Sequence, residues 1–216
     1  RCKDCFLNDL VCMPCCVHRH RWNPFHHIER WTGLYFTATA LKAIGLCIQL
    51  NHQSLKCPVP IPCHVKLRIL HTTGIHDVAI DYCGCERQIP QHIQLLRCGW
   101  YPASQQVVKT CATFRLLEMF HLLSLVSKTT TYNFCRMLER MSDNMGLNTR
   151  PSHRAALMCM LIQWQHLRLL KRGRWAHDVT GPEGTKPSKP AVLCPSCPRP
   201  GINLPSDWDQ VPPHLK

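Results

Sequence analysis

The chain has 216 residues, of which 45% are hydrophobic, so it can bury a core and wholesale disorder is excluded. With 26 lysines and arginines against 13 acidic residues, its formal net charge is +13, which favours polyanions as partners over a merely solubilising basic surface. We find no secretory leader before the first cysteines and no apolar run of about 18 residues, so neither secretion nor a membrane span is predicted.

The first segment, residues 1–31, is dense in cysteine and histidine. The whole chain contains 16 cysteines and 14 histidines, and several cysteines form short Cys-x2-Cys pairs. Two thiolates on one tight turn can reach a single tetrahedral zinc but are poorly placed to crosslink distant parts of a fold. The spacing therefore predicts Zn²⁺ sites in a reduced, intracellular protein. The candidate ligands in this segment are Cys2, Cys5, Cys12, Cys15, His20 and His26.

These six residues make three ligand pairs, whereas two zinc sites need four pairs, so two arrangements are open. In one, the four cysteines close a single site and both histidines stay free. In the other, Cys2 and Cys5 join His20 and His26, and the Cys12 pair waits for ligands upstream of residue 1. We prefer this cross-braced arrangement, because two histidines after a Cys-x2-Cys pair are typical of B-box-like zinc modules.

Residues 32–110 mix short apolar runs with proline and glycine, which predicts strands and loops. We expect strands over residues 65–71 and 77–82, with a turn at the Thr73-Gly74 step. A second ligand set lies in this segment, with His76 as a substitute member, although partly buried structural thiols would give the same pattern. Its four candidate ligands are His52, Cys57, Cys83 and Cys85.

Residues 111–175 change to helical periodicity. We predict a wholly buried helix over Phe114–Val126, a second over residues 132–145 that ends at Gly146, and a third from Ser152 to about Lys171. Six isolated cysteines are expected to be core residues rather than ligands. They are Cys47, Cys63, Cys98, Cys111, Cys135 and Cys159.

The same segment contains the candidate DNA-binding residues. No acidic residue occurs between Asp143 and Asp178, so the basic side chains there form a stretch of positive charge. Basic side chains at the end of the third helix can meet phosphates, but the same cations also offset the helix macrodipole. The two interpretations stay open. The candidates are Arg150, Arg154, Arg168, Lys171, Arg172 and Arg174.

The last segment, residues 176–216, is rich in proline and glycine and is predicted to be a linker or extended tail. Cys194 and Cys197 make half of a ligand set that nothing nearby completes. The 13 acidic residues are scattered along the chain, so no convergent carboxylates for two-metal catalysis are predicted, and neither a phosphate-binding loop nor a nucleophile elbow occurs.

Taken in chain order, several motifs resemble one family. They are Arg1-Cys-Lys-Asp-Cys5, Cys12-Met-Pro-Cys-Cys16, Pro24-Phe-His-His-Ile-Glu-Arg-Trp31, Gly74-Ile-His-Asp-Val78, Asp81-Tyr-Cys-Gly-Cys-Glu86, Gln94-Leu-Leu-Arg97, Trp100-Tyr-Pro102 and Cys194-Pro-Ser-Cys-Pro-Arg-Pro-Gly-Ile-Asn-Leu-Pro205. The ordered set is similar to the CxC-type cysteine cluster that precedes the catalytic domain of KDZ (Kyakuja–Dileera–Zisupton) transposases. It extends over nearly the whole chain.

The residues predict an α+β chain with a small B-box-like zinc module, short strands, a helical region and a Pro-rich tail. The resemblance implies that this tail enters a missing catalytic domain. It also implies a zinc-binding, DNA- or chromatin-associating module of a transposase. With the scattered carboxylates, we expect a nuclear module that is not itself an enzyme and takes no small-molecule substrate. Two alternatives stay open: a B-box-like module for protein interaction or self-association, and a decayed fragment of a mobile element.

Overall fold

The computed structural model describes residues 1–52, 56–85, 89–143, 151–173, 179–180, 184, 196–204, 206–207 and 210. In these residues, five α-helices accompany nine short strands, which confirms the predicted α+β class. The chain divides into two compact units, residues 1–165 and 166–216. The boundaries predicted at residues 31, 110 and 175 stay predictions.

The helices begin where the sequence supplies a cap or a preset turn. Proline follows the first residue of α1, and the side-chain hydroxyls of Thr113 and Thr130 cap α3 and α4 by accepting from backbone N–H groups three residues on. The Arg154 N–H donates to the Ser152 hydroxyl at the start of α5. The helices are α1 (Met13–His20), α2 (Gln91–Arg97), α3 (Phe114–Val126), α4 (Thr131–Ser142) and α5 (Arg154–Arg172), with a 3-10 turn at Leu41–Ile44.

The strands form three small sheets. A hairpin pairs β1 (Ile28–Trp31) with β2 (Phe36–Thr39). The second sheet has the order β3-β7-β4, and the third has the order β6-β5-β9-β8. Their strands are β3 (Cys47–Gln49), β4 (Pro60–Pro62), β5 (Arg68–His71), β6 (Gly74–Asp77), β7 (Ala79–Cys83), β8 (Trp100–Pro102) and β9 (Thr110–Thr113).

Two apolar cores stabilise the first unit. One packs the four-stranded sheet against α3, α4 and the first part of α5, and the rings of Phe120 and Phe134 lie 4.6 Å apart in it. The other lies between the two larger sheets and includes Leu67, Ile80 and Leu95. The segment before residue 47 has a much smaller core of two cysteines and three aliphatic residues. Apolar burial alone therefore contributes little to folding there.

Several sequence predictions need correction. The helix over Phe114–Val126 forms as predicted, but it is only half buried: Leu122 and Val126 are 52% and 86% exposed, because no described element covers that face. The helix predicted to end at Gly146 already ends at Ser142, whose hydroxyl accepts from the Ile75 N–H and so connects α4 to β6. Gly146 lies outside the described residues.

The two strands predicted over residues 65–71 and 77–82 are replaced by three strands, β5, β6 and β7, because the chain turns twice in this region. The Thr73-Gly74 turn forms, but it joins β5 to β6, and the run over residues 77–82 is divided between β6 and β7. Of the isolated cysteines, Cys111 and Cys135 are buried as expected and Cys63 is half-buried. The core assignment is wrong for Cys47, Cys98 and Cys159, which are exposed.

Among the described residues, no helix combines the length and hydrophobicity that crossing a bilayer requires. The described cysteines are all free thiols. Cys194 and most of the predicted tail lie outside the described residues, whereas Cys197 is described and exposed.

Candidate metal centres

The first candidate centre brings together two thiols and two imidazoles from distant points of the first segment. The ligand atoms of Cys2, Cys5, His20 and His26 all lie within 4.8 Å of one another. Cys5 Sγ is 3.4 Å from His20 Nε2 and 3.4 Å from His26 Nδ1, and Cys2 Sγ is 3.5 Å from the same His26 nitrogen. These are the four ligands that the cross-braced arrangement predicts for one zinc site.

Local structure explains how the four residues meet. His20 comes from the last turn of α1, and an isolated bridge between Cys2 and Ile28 places the first residues of the chain beside the loop that carries His26. The second nitrogen of His20, Nδ1, lies 2.8 Å from the carbonyl oxygen of Cys16, one turn earlier in the helix. When Nδ1 donates to that carbonyl, Nε2 keeps a free lone pair that faces the two thiols. Metal-binding histidines use the same arrangement, in which the nitrogen away from the metal donates to a carbonyl and orients the ring.

These distances fit a tetrahedral metal. With metal–ligand bonds of about 2.0–2.3 Å, the ligand atoms of a tetrahedral zinc lie roughly 3.3–3.8 Å apart. The sulfur–nitrogen distances of 3.4–3.5 Å fall within that interval. A metal would also supply much of the folding free energy that this segment's small core lacks.

Cys12 and Cys15 do not join that centre. Both thiols are exposed at the start of α1 and belong to neither candidate metal group of the described residues. Hydrogen bonds from the Cys15 N–H and thiol lower the pKa of the Cys12 thiol. The pair is therefore accessible to a metal, but the described residues supply it with only two thiols.

The second candidate centre lies at one edge of the β3-β7-β4 sheet. Because β3 and β7 are parallel, their carboxyl ends share an edge, and β4 is antiparallel to β7, so its first residue lies at the same edge. Each of these strand ends carries one or two of the predicted ligands. The four residues that meet there are His52, Cys57, Cys83 and Cys85.

The geometry of this second centre is equally compact. His52 Nε2 is 3.0 Å from Cys83 Sγ and 3.7 Å from Cys85 Sγ, and the sulfurs of Cys57 and Cys85 are 3.4 Å apart. All four ligand atoms lie within 4.8 Å of one another. His76, the predicted substitute, instead contacts Thr73 and the ring of Phe25.

The electrostatics of the second centre favour a cation. The Cys85 thiol donates hydrogen bonds to the sulfurs of Cys57 and Cys83, which raises its pKa to about 12. Burial raises the pKa of the Cys57 thiol, but hydrogen bonds from the Val59 and Gly84 backbone N–H groups and from the neighbouring Cys85 and Cys83 thiols outweigh it and lower that pKa. Several thiolates cannot coexist here without a positive charge, and a divalent metal would provide one.

Two residues that support the second centre were not predicted as functional. Gln94 is buried, and its side-chain amide bonds both backbone groups of Cys83, at 2.8 Å to the N–H and 3.0 Å to the carbonyl. At Gly84, an added Cβ would lie 2.9 Å from the Val59 carbonyl, so only glycine permits this close approach. A buried glutamine has no sequence signature, whereas the Cys-Gly-Cys spacing was a usable signal for Gly84.

The predicted DNA-binding cations are only partly described. Arg154 is exposed at the start of α5, with its guanidinium 5.9 Å from the ring of Tyr132, and Arg168, Lys171 and Arg172 lie on the same helix after residue 165. Arg150 and Arg174 lie outside the described residues.

Comparison with protein families gives a match over part of the chain. Residues 41–146 match a family model described as a CxC2 like cysteine cluster associated with KDZ transposases. The matched segment contains the whole second centre and Gln94, while the first centre lies before it. No curated protein and no solved structure matches the chain.

Proposed function

Since residues 41–146 match the family model of the CxC2 like cysteine clusters associated with KDZ transposases, we propose that this chain is a zinc-binding module that attaches such a transposase to DNA or chromatin and has no catalytic activity of its own. The observation that carries the proposal is the convergence of two thiol–imidazole ligand sets, one before the matched segment and one within it.

Zinc is the metal that this ligand chemistry favours. Tetrahedral sets of thiolate and imidazole suit Zn²⁺, whereas the Mg²⁺ used in DNA strand transfer prefers carboxylate oxygens and water. We therefore assign both centres a structural role: Cys2, Cys5, His20 and His26 would hold one zinc, and the set around Cys83 the other. Bound zinc would stabilise the segments that carry its ligands.

The charge of the chain supports DNA as the partner. The net charge of +13 gives a long-range attraction to a polyanion, and the cations of α5 lie beyond the matched segment, where they can contact phosphates. A nuclear location with reduced cysteines follows from this proposal.

The test combines metal content with DNA binding. We would measure zinc in the purified chain by mass spectrometry and DNA affinity at low and high salt, before and after chelation. The proposal predicts about two zinc ions per chain and an affinity that falls with salt and with chelation. Zinc without DNA affinity would overturn the DNA-binding role and leave the metal assignment standing.

A second candidate function rests on the exposed apolar face of α3. Leu122, Leu125 and Val126 are all exposed on this helix, and such apolar patches are typical of protein interfaces. In this alternative the module binds zinc but mediates self-association or contact with another protein. Sedimentation at high salt tests it, because apolar association persists there, and Leu125→Glu should abolish it while Tyr132→Glu on α4 should not.

A further inference from the structure

A cavity of about 780 Å³ lies in the first unit, beside both candidate metal centres. Its lining includes one candidate ligand from each centre, His26 from the first and His52 from the second. The volume is in the range of ligand-binding clefts. Two metal centres therefore contribute to the walls of one cavity, which suggests that they organise it.

The charge of the cavity is positive. Three arginines line it, Arg21, Arg97 and Arg115, and none of them has a carboxylate partner among the described residues. The Arg97 guanidinium donates a hydrogen bond to the neutral amide oxygen of Asn51. Asp4 is the one acidic residue of the described lining, and its carboxylate already accepts from the backbone and ring of His27.

Aromatic rings form part of the same lining. Phe25 stacks on His71 with centroids 4.4 Å apart and lies 5.6 Å from the ring of Trp100. Trp22 stands at the cavity with 60% of its surface exposed, and the guanidinium of Arg21 lies 5.5 Å from its ring. A large exposed indole beside a cation is a stacking platform for a planar group that also carries negative charge.

We propose that this cavity binds unpaired nucleotides of single-stranded DNA, with Trp22 stacking on a base and the three arginines binding phosphates; this rests on the proposed association with DNA. A cationic ligand is disfavoured by the arginines. An acidic peptide would use the arginines but leave the aromatic platform unused. In an intact duplex the base faces are stacked on one another, so only an unpaired or extruded base can reach the indole.

The experiment measures fluorescence anisotropy of a labelled oligothymidylate of about ten nucleotides, and of a duplex of the same length, with the zinc-loaded full chain. Trp22→Ala should weaken single-strand binding about 5- to 100-fold, while Trp22→Phe retains most of it because the ring remains. Trp31→Ala, which removes another exposed tryptophan outside the cavity, should stay close to wild type.

A second pair of variants protects the test against misfolding near the first centre. Arg115→Gln changes an exposed side chain on α3, a helix that carries no candidate ligand, and should weaken single-strand binding more than duplex binding. Arg136→Gln removes an equally exposed charge on α4, outside the cavity, and should affect both DNA forms alike. Zinc content is measured in every variant.

The outcomes separate the two proposals. If neither DNA form binds, the proposed association with DNA fails, and this inference fails with it. If duplex binding is intact but Trp22→Ala and Arg115→Gln bind the single strand as wild type does, the DNA-associating role stands and the cavity assignment is overturned. Competition by oligoglutamate as strong as by oligothymidylate would also overturn it, because general anion binding needs no base.

Discussion

The buried side chain of Gln94 holds the backbone of Cys83 at both of its polar groups. Its carbonyl oxygen accepts from the Cys83 N–H at 2.8 Å, and its amide nitrogen donates to the Cys83 carbonyl at 3.0 Å and to the Ile89 carbonyl at 2.8 Å. Helix α2 thereby sets the position of the last residue of β7. The thiol geometry of the second centre depends on a residue that touches no candidate ligand atom.

Replacing Gln94 with leucine should therefore disable the second centre selectively. The substitution leaves the backbone groups of Cys83 buried without partners, at about 1–3 kcal/mol for each unsatisfied group. We expect the zinc content to fall by about one ion per chain and the free energy of unfolding to decrease. Gln91→Leu, at the exposed start of the same helix, is the control. Full zinc content in the Gln94 variant would show that Cys83 needs no such support.

Substitution of the thiols should distinguish the two arrangements of the first segment. Cys5→Ser removes a sulfur that lies 3.4 Å from both imidazoles, so we expect loss of one zinc and unfolding of this segment. Cys12→Ser alters an exposed thiol outside that group and should leave the zinc content unchanged. If both substitutions remove the same zinc, the four-cysteine arrangement is correct instead.

The basic residues at the end of α5 should contribute an affinity for DNA that depends on salt but not on the base sequence. We expect Lys171→Gln and Arg172→Gln each to weaken binding to single-stranded and duplex DNA alike, and to reduce the slope of log affinity against log salt by about one. Lys171→Arg keeps the charge and should bind as wild type does. Unchanged slopes in the two neutral variants would indicate that these cations only offset the helix macrodipole.

Acid should destabilise the first unit partly through His71. Burial, followed by the charges of Arg115 and His26, lowers the pKa of this imidazole to about 4. Between its ordinary pKa near 6.5 and about 4, the unfolded chain binds the proton that the folded chain does not, so stability falls as the pH falls through that window.

The measurement is urea unfolding at about pH 7.5 and pH 5 for wild type and His71→Gln. Both proteins lose metal in acid, so the informative quantity is the difference between them: the wild type should lose more stability on acidification than the variant. His18→Gln, at an exposed position on α1, should follow the wild type. If His71→Gln loses as much stability on acidification as the wild type does, His71 does not contribute to the acid destabilisation.

The sequence by itself determined which cysteines and histidines have the spacing of metal ligands. It also determined the α+β class and the family resemblance, which the match over residues 41–146 bears out. Local spacing carries this information because a Cys-x2-Cys or Cys-x-Cys pair places two donors on one tight turn. Helix caps such as Thr113 and Ser152 are equally local, and the starts of α3 and α5 agree closely with the prediction.

Only the tertiary structure decided which ligand pairs meet and what supports them. His20 and His26 meet Cys2 and Cys5 because α1 and the Cys2–Ile28 bridge bring them together across the chain. The buried Gln94, the exposed half of α3 and the cavity lined by Trp22 and Arg115 likewise depend on packing between segments far apart in sequence. Hydrophobic periodicity records that a face is apolar, but not whether another element covers it.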